Sequence, residues 1–544
     1  MSTFEKPDVE SRDVIKALIA RMSPAQKAGQ LFLLAYPGED PEVIRPLIER
    51  YGLCGCYISQ DNARTFAQAR VVTGKLQAMS MLAQGLPLLL GVDQEGAWGV
   101  LVPQSHTGPG NLALGSVADP GLTRRMYAVF GSEMLSVGYN ALLGPCADVN
   151  SNPDSPIIGT RAFGEEPAAV AKLVAAAVQG VREAGSVATL KHFPGHGATS
   201  GDTHREIPTV DASLAYLLAN DLLPFRAGID AGAAMVMTSH IRYPQIDPEN
   251  PATLSHVILK EILRKILGFQ GVVLSDSMNM GAIRRFYDPA ESTLLALEAG
   301  VDVVMLSEEH YDHDDRKYLD KQLASLELVR EAIESGRLDR TEVDAKLERI
   351  LRLKLQFSSV PPDPSAFHGF TNREAEEVEA EAAWRAIRCV GDGIHRFPMD
   401  ARRVVVVNAT PRSSYWRIMN ARGIGPNQVI PGFDALRNAL EIPAEFLAHE
   451  DFRNGSLDRL DEASAVVVVV EDFPLPGEDF EKSSQKELAV RIALEFPHKC
   501  VLVALRSAYD RAGYPPAIPY VCAYSSRECS ARAMARYLEK VVFA

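Results

Sequence analysis

The 544-residue chain has little of what would tie it to a membrane, a secretion route or a nucleic acid. No uninterrupted apolar run reaches the ~18 residues that a membrane helix needs. The opening stretch, MSTFEKPDVESRDVIK, is charged and has no apolar core, so it does not read as a secretory signal. Basic residues are in deficit. Lys and Arg number 56 against 70 Asp and Glu, for a net charge of −14, which argues against nucleic acid or an anionic membrane surface as partner. Cysteine is sparse, with seven scattered residues, an odd number that does not suit a disulfide framework. Cys54 and Cys56 stand too close for a CxxC site and read as neighbours on one strand face. A reduced, cytoplasmic protein without structural metal fits these absences. No GxSxG elbow is present, so a serine hydrolase of that type is excluded. No tandem repeat or low-complexity tract is evident.

What is present is a rhythm. Apolar strand candidates stand at 54–59, 86–93, 141–148, 186–192, 233–240, 271–276 and 301–307. Helix-patterned segments such as 62–83, 122–137, 167–183 and 256–266 lie between them. Ser23-Pro24 followed by AQKAGQLFLL predicts an N-cap, a proline in the first turn and an amphipathic helix. Strand alternating with helix over about 300 residues implies a parallel sheet, and seven or eight such units imply a (β/α)8 TIM-like barrel. The barrel unit is expected over 1–357. The stretch SSVPPDPSAFHGF marks a linker, taken as 358–373. A second α/β region follows over 374–544, with strand candidates at 403–407, 465–470, 500–505 and 518–523.

Chemistry concentrates in KHFPGHGATSGDTHREIP, residues 191–208, just past one strand candidate. Asp93, Asp148, Lys191-His192, His240, Asp276 and Ser307 each close an apolar run. In a barrel such ends converge on one face, where active sites sit. The pair Asp202-x-His204 suits an imidazole acid/base, since the aspartate fixes its tautomer and steadies the imidazolium. His192, His196, His204 and Asp202 also read as metal ligands. Their spacing matches no metal fingerprint, and Lys191 alongside opposes a cation. In a third reading the histidines satisfy buried backbone groups, which suits His196 best, between two glycines. Asp276 ends a strongly apolar strand and reads either as a carboxylate nucleophile or as the cap of a helix over 278–285.

These segments resemble glycoside hydrolase family 3, and within it the bacterial β-N-acetylglucosaminidases of the NagZ type. KHFPGHG…DTHREIP resembles their lysine–histidine strand end and catalytic loop, and LSDSMNMGA their nucleophile segment. VDQEG at 92–96 and IIGTRAFG at 157–164 resemble two sugar-binding segments, and MSPAQKAGQLF the opening helix. The resemblance covers residues 15 to about 355, and more weakly the C-terminal region, where LRSAYD at 505–510 looks like the family's α/β sandwich domain. It implies Asp276 as nucleophile, His204 as acid/base and Asp202 as its orienting partner. Asp93, Arg161, Lys191 and His192 would bind N-acetylglucosamine hydroxyls. It implies a retaining exo-β-N-acetylglucosaminidase with a saccharide substrate, no cofactor and no metal. The alternatives on the same fold are a β-glucosidase or a glycoside phosphorylase. One departure stands out: Gly96-Ala-Trp-Gly replaces the family's GGRV, so Trp98 offers a stacking face where an arginine is usual.

Overall fold

The computed structural model describes residues 9–96, 105–155, 157–201, 207–307, 315–357, 372–391, 397, 403–419, 430–471 and 483–543. Eight short strands form the first sheet: β1 Phe32–Leu34, β2 Gly55–Tyr57, β3 Leu89–Val92, β4 Ala141–Leu142, β5 Val187–Phe193, β6 Met235–Thr238, β7 Val272–Leu274 and β8 Val304–Leu306. Their order is β8-β1-β2-β3-β4-β5-β6-β7, and every pairing is parallel. Residues just before β8 close the ring. Val303 N donates to Val273 O at 3.0 Å, and Ser275 N donates to Val303 O at 2.9 Å. At this seam the buried Asp302 accepts from Val273 N at 2.8 Å, from Arg264 at 2.5 Å and from Arg349 at 2.6 Å. Burial alone would raise its carboxyl, but Arg349 and Arg264 outweigh that and bring it to about 2.

The strands are buried on both faces, as parallel barrel strands must be, and this is why they read as continuous apolar runs. The first strand corrects the expectation of one long helix after Ser23. The cap is as expected: Ser23 Oγ accepts from Gln26 N at 3.2 Å and Gln26 Oε1 from Ser23 N at 2.9 Å. The helix, however, spans only Pro24–Gly29. Leu31 to Ala35 are all fully buried, and such a run satisfies a two-sided strand, not a one-sided helical stripe. It supplies the eighth strand that the apolar pattern had hidden.

The second sheet has six strands: β9 Arg388–Val390, β10 Val404–Asn408, β11 Ala444–Leu447, β12 Ala465–Val470, β13 Cys500–Ala504 and β14 Tyr520–Cys522. Their order is β9-β14-β13-β12-β10-β11, with β9 antiparallel to β14 and the rest parallel. Apolar clusters cover both faces, one around Val404, Val467 and Val503 and the other around Val405, Val468 and Leu502. Helix Asn372–Ala386 joins the two bodies. Its Ala375, Val378 and Ala382 pack in the barrel core, while Ala383 packs in the second. Gly108 N donates to Glu379 of this helix at 2.8 Å, and Arg388 donates to Ser116 O at 2.6 Å. Most of the expected linker, 358–371, lies outside the described residues. Among the described residues no helix is long and apolar enough to cross a membrane, and all seven cysteines are free thiols.

Candidate active site

The C-terminal rim of the barrel carries the titratable side chains. Asp93 and Glu95 follow β3, Asp148 stands beyond β4, Lys191 and His192 end β5, and Asp276 follows β7. The Lys191–His192 peptide is cis, as are Gly144–Pro145 and Phe193–Pro194. Lys191 Nζ lies 2.6 Å from both Asp93 Oδ1 and Glu95 Oε1. Arg161 grips Glu95 with two bonds, Nε to Oε2 at 2.8 Å and Nη2 to Oε1 at 2.9 Å. Glu95, Lys191 and Arg161 are buried, whereas the Asp93 side chain is 27% exposed and also accepts from Tyr57 OH at 2.9 Å. Burial opposes the charges of Glu95, Lys191 and Arg161. For Glu95 the Arg161 and Lys191 charges overcome it and hold the carboxyl far down the acidic range. For Lys191 the Asp93 and Glu95 charges overcome it and raise the ammonium above its ordinary value. The result is a fixed comb of charged donors and acceptors of which Asp93 is the partly exposed member.

His192 belongs to the same network. Its Nε2 lies 3.3 Å from Arg161 Nη2, and its Nδ1 lies 2.8 Å from Asp148 Oδ2. A guanidinium can only donate, so Nε2 accepts and the Nδ1–H donates to Asp148. Asp148 also accepts from His196 N at 2.6 Å and lies 3.0 Å from Cys146 Sγ. Burial would raise its carboxyl, but the facing His192 and His196 and these hydrogen bonds hold it well below the usual range. His196 is buried and lowered to about 4, first by burial and then by His192. Its Nδ1 lies 2.8 Å from Thr199 Oγ1, whose own hydrogen goes to His196 O at 2.9 Å. The hydroxyl therefore accepts from Nδ1–H, and His196 ties down the loop, in line with its structural reading.

The loop after β5 is threaded closely over the preceding strand end. A Cβ on Gly197 would stand 1.7 Å from Val149 O, so no side chain fits there. The returning limb is pinned where Arg242 N donates to Pro208 O and Val210 N to Arg242 O, each at 2.9 Å. Asp202 and His204, which fall between these anchors in sequence, and Trp98 are outside the described residues.

Asp276 sits partly buried at the end of β7. Its Oδ1 accepts from the next amide, Ser277 N, at 2.8 Å. The short helix that follows spans Gly281–Arg284 with Met280 at its N-cap, so Asp276 caps no helix and that reading falls. His240 braces the segment by bonding the Ser277 carbonyl through Nε2 at 2.9 Å. The structure thus gathers Asp93, Arg161, Lys191 and His192 into one network and puts Asp276 on the same rim. It adds Glu95 and Tyr57, which the residue pattern had not singled out as site groups, and ties Asp148, one of the strand-end residues, to His192. Glu95 had a signal in VDQEG, but its role depends on Arg161, which is 66 positions away.

Residues 25–353 match the family described as the glycosyl hydrolase family 3 N terminal domain. The chain belongs to glycoside hydrolase family 3. It is 33% identical over 379 residues to β-hexosaminidase A of Pseudoalteromonas piscicida, covering 65% of this chain and 62% of that enzyme. The chain therefore spans less than two thirds of that relative's length. It is 34% identical over 292 residues to the β-hexosaminidase of Nitrosomonas eutropha, covering 52% of this chain and 80% of the relative. Among solved structures it resembles a glycoside hydrolase family 3 β-N-acetylglucosaminidase from Paenibacillus sp. str. FPU-7, with a TM-score of 0.81 and 28% identity. That likeness covers 96% of this chain and 97% of the other, so the barrel and the second sheet are both shared.

Proposed function

We propose that this family 3 protein is a retaining exo-β-N-acetylglucosaminidase that releases terminal N-acetylglucosamine through a covalent glycosyl–Asp276 intermediate. The observation that carries the reading is the preorganised network of Asp93, Lys191, Glu95, Arg161 and His192 on the rim that also bears Asp276. Paired carboxylates and cations held in fixed geometry suit the adjacent hydroxyls of a sugar. They meet the ligand without reorganising, which favours binding in one orientation. Asp93 and Lys191 take the hydroxyls directly in this scheme, while Glu95 holds Lys191 and Arg161 in place and Asp148 holds His192.

In the first step Asp276 attacks the anomeric carbon and His204 protonates the departing oxygen. Asp202 orients the imidazole and stabilises its charged form. In the second step His204, now neutral, takes a proton from water, and the hydroxide equivalent releases the sugar from Asp276. No metal or cofactor enters this scheme. The substrate is a small saccharide, and the seven free thiols accord with action in a reducing, cytoplasmic setting.

Turnover of aryl β-glycosides tests the reading. N-acetylglucosaminides should be cleaved much faster than glucosides, with release of the free sugar unaffected by phosphate. Preference for glucosides would overturn the sugar assignment, and a sugar 1-phosphate product would replace hydrolysis with phosphorolysis.

A further inference from the structure

Behind His192 of the sugar-binding network lies a cluster whose other two members, Cys146 and Asp148, the proposed chemistry uses at most as a brace. Cys146, Asp148 and His192 are all buried, and one ligand atom from each lies within 4.8 Å of the other two. Cys146 Sγ is 3.0 Å and His192 Nδ1 is 2.8 Å from the same Asp148 oxygen, Oδ2. The backbone beneath is fixed: Ala147 N donates to Lys191 O at 2.6 Å and Lys191 N to Pro145 O at 3.3 Å. Ile157, Ile158 and Ala162 pack on Cys146 as a small apolar cluster apart from the main core. The second Asp148 oxygen is held by His196 N at 2.6 Å, so the carboxylate is oriented from behind.

We propose that Cys146, Asp148 and His192 form a latent site for one borderline-soft divalent cation of the zinc, cadmium or cobalt class, whose occupancy disables the sugar site. A thiolate, an imidazole and a carboxylate suit such cations and not magnesium or calcium. Three protein ligands with a fourth position for water is a coordination that zinc accepts. Zinc bond lengths place tetrahedral ligands about 3.3–3.6 Å apart, so each hydrogen-bonded contact opens by about half an ångström. The protons balance simply. The Cys146 thiol gives up one proton to solvent. The His192 proton moves from Nδ1 to Nε2, leaving Nδ1 free to bind. The cation's two charges then meet one thiolate and one carboxylate.

That proton shift is what couples the two sites. Nε2–H would face Arg161 Nη2, now 3.3 Å away, donor against donor. Arg161 must turn aside, and its two bonds to Glu95 loosen with it. A cation in the lower site and a sugar on the comb therefore exclude one another. The inhibition half of this inference rests on the function proposed above, whereas the binding half does not.

The test uses the full-length protein freed of metal by chelation, with cobalt(II) as the probe. One equivalent should give a thiolate-to-cobalt charge-transfer absorption, displaced by zinc and absent in Cys146→Ser. Cys146→Ala serves as a second variant should the serine disturb folding, which circular dichroism checks for both. Zinc should inhibit aryl N-acetylglucosaminide hydrolysis. Each Cys146 variant, measured against its own uninhibited rate, should be at least tenfold less sensitive. No cobalt–thiolate absorption in the wild type, or the same absorption in a folded Cys146 variant, overturns the site. Equal zinc sensitivity of wild type and variants overturns the coupling. A Cys146-dependent cobalt signal in a protein without glycosidase activity would sustain the metal site and sink the function instead.

Discussion

Replacing Glu95 with glutamine would remove one charge and almost no volume. It would strike the group that pairs with both Lys191 and Arg161. Glu95 is fully buried and is contacted by Lys191 at 2.6 Å and by Arg161 at 2.8 and 2.9 Å. With charge centres ~4 Å apart and an effective dielectric of about 20, each pairing is worth about 4 kcal/mol before compensation. Asp93 remains on Lys191, and the glutamine carbonyl retains one acceptor, so part of this is recovered. Removing one partner of a buried ion pair costs about 3–5 kcal/mol, because the other charge stays buried and uncompensated. We expect a loss of that size in urea unfolding, with an unchanged m-value. Lys191 and Arg161 would lose their fixed positions, so KM for an aryl N-acetylglucosaminide should rise at least tenfold. A stability loss under about 1 kcal/mol together with an unchanged KM would refute the view that Glu95 organises the site.

Three further outcomes follow from other parts of the rim. Asp221, raised to about 6 by burial and then by the Asp148 charge, holds its proton to higher pH when folded than when unfolded. Its ionisation therefore costs stability as pH rises from about 4 to about 6, and Asp221→Asn should stabilise above that window, by up to about 3 kcal/mol, but not below it. Equal effects at both ends, read by thermal unfolding, would contradict this. Gly197→Ala should lower activity by lifting the loop from Val149 O, 1.7 Å from the added carbon, and full activity would show that the loop is not held so closely. His204→Ala and Asp202→Asn should slow substrates with poor leaving groups far more than those with acidic phenols. A uniform loss across a leaving-group series would exclude His204 as the general acid.

The barrel was legible because strands buried on two faces read as apolar runs, and seven of the eight did so. The run Leu31-Phe32-Leu33-Leu34 escaped because a genuine capping box at Ser23 and Gln26 leads directly into it. In the second sheet β9 and β11 also escaped. Arg388–Val390 is a short, half-buried edge strand, and Ala444–Leu447 is half-buried over most of its length, so neither presents an apolar run. Within the site, Asp93, Lys191 and His192 were legible because each closes a strand, and Arg161 through the resemblance of its segment. Asp148 closes a strand too, but its hold on His192, like that of Glu95 on Arg161, joins residues far apart in sequence and appears only once the strands are side by side. The helix-cap reading of Asp276 fell for a local reason, since the next helix starts five residues later, at Gly281.

In the proposed scheme Asp276 is the group that joins the sugar. A fluorinated N-acetylglucosaminide with a good leaving group slows release of the covalent intermediate and allows it to accumulate. Peptide mass spectrometry of the inactivated protein should find one adduct, on the peptide bearing Asp276, and none in Asp276→Ala, which should also have lost turnover while remaining folded. An adduct on another residue, or near-normal kcat in Asp276→Ala, would contradict the account.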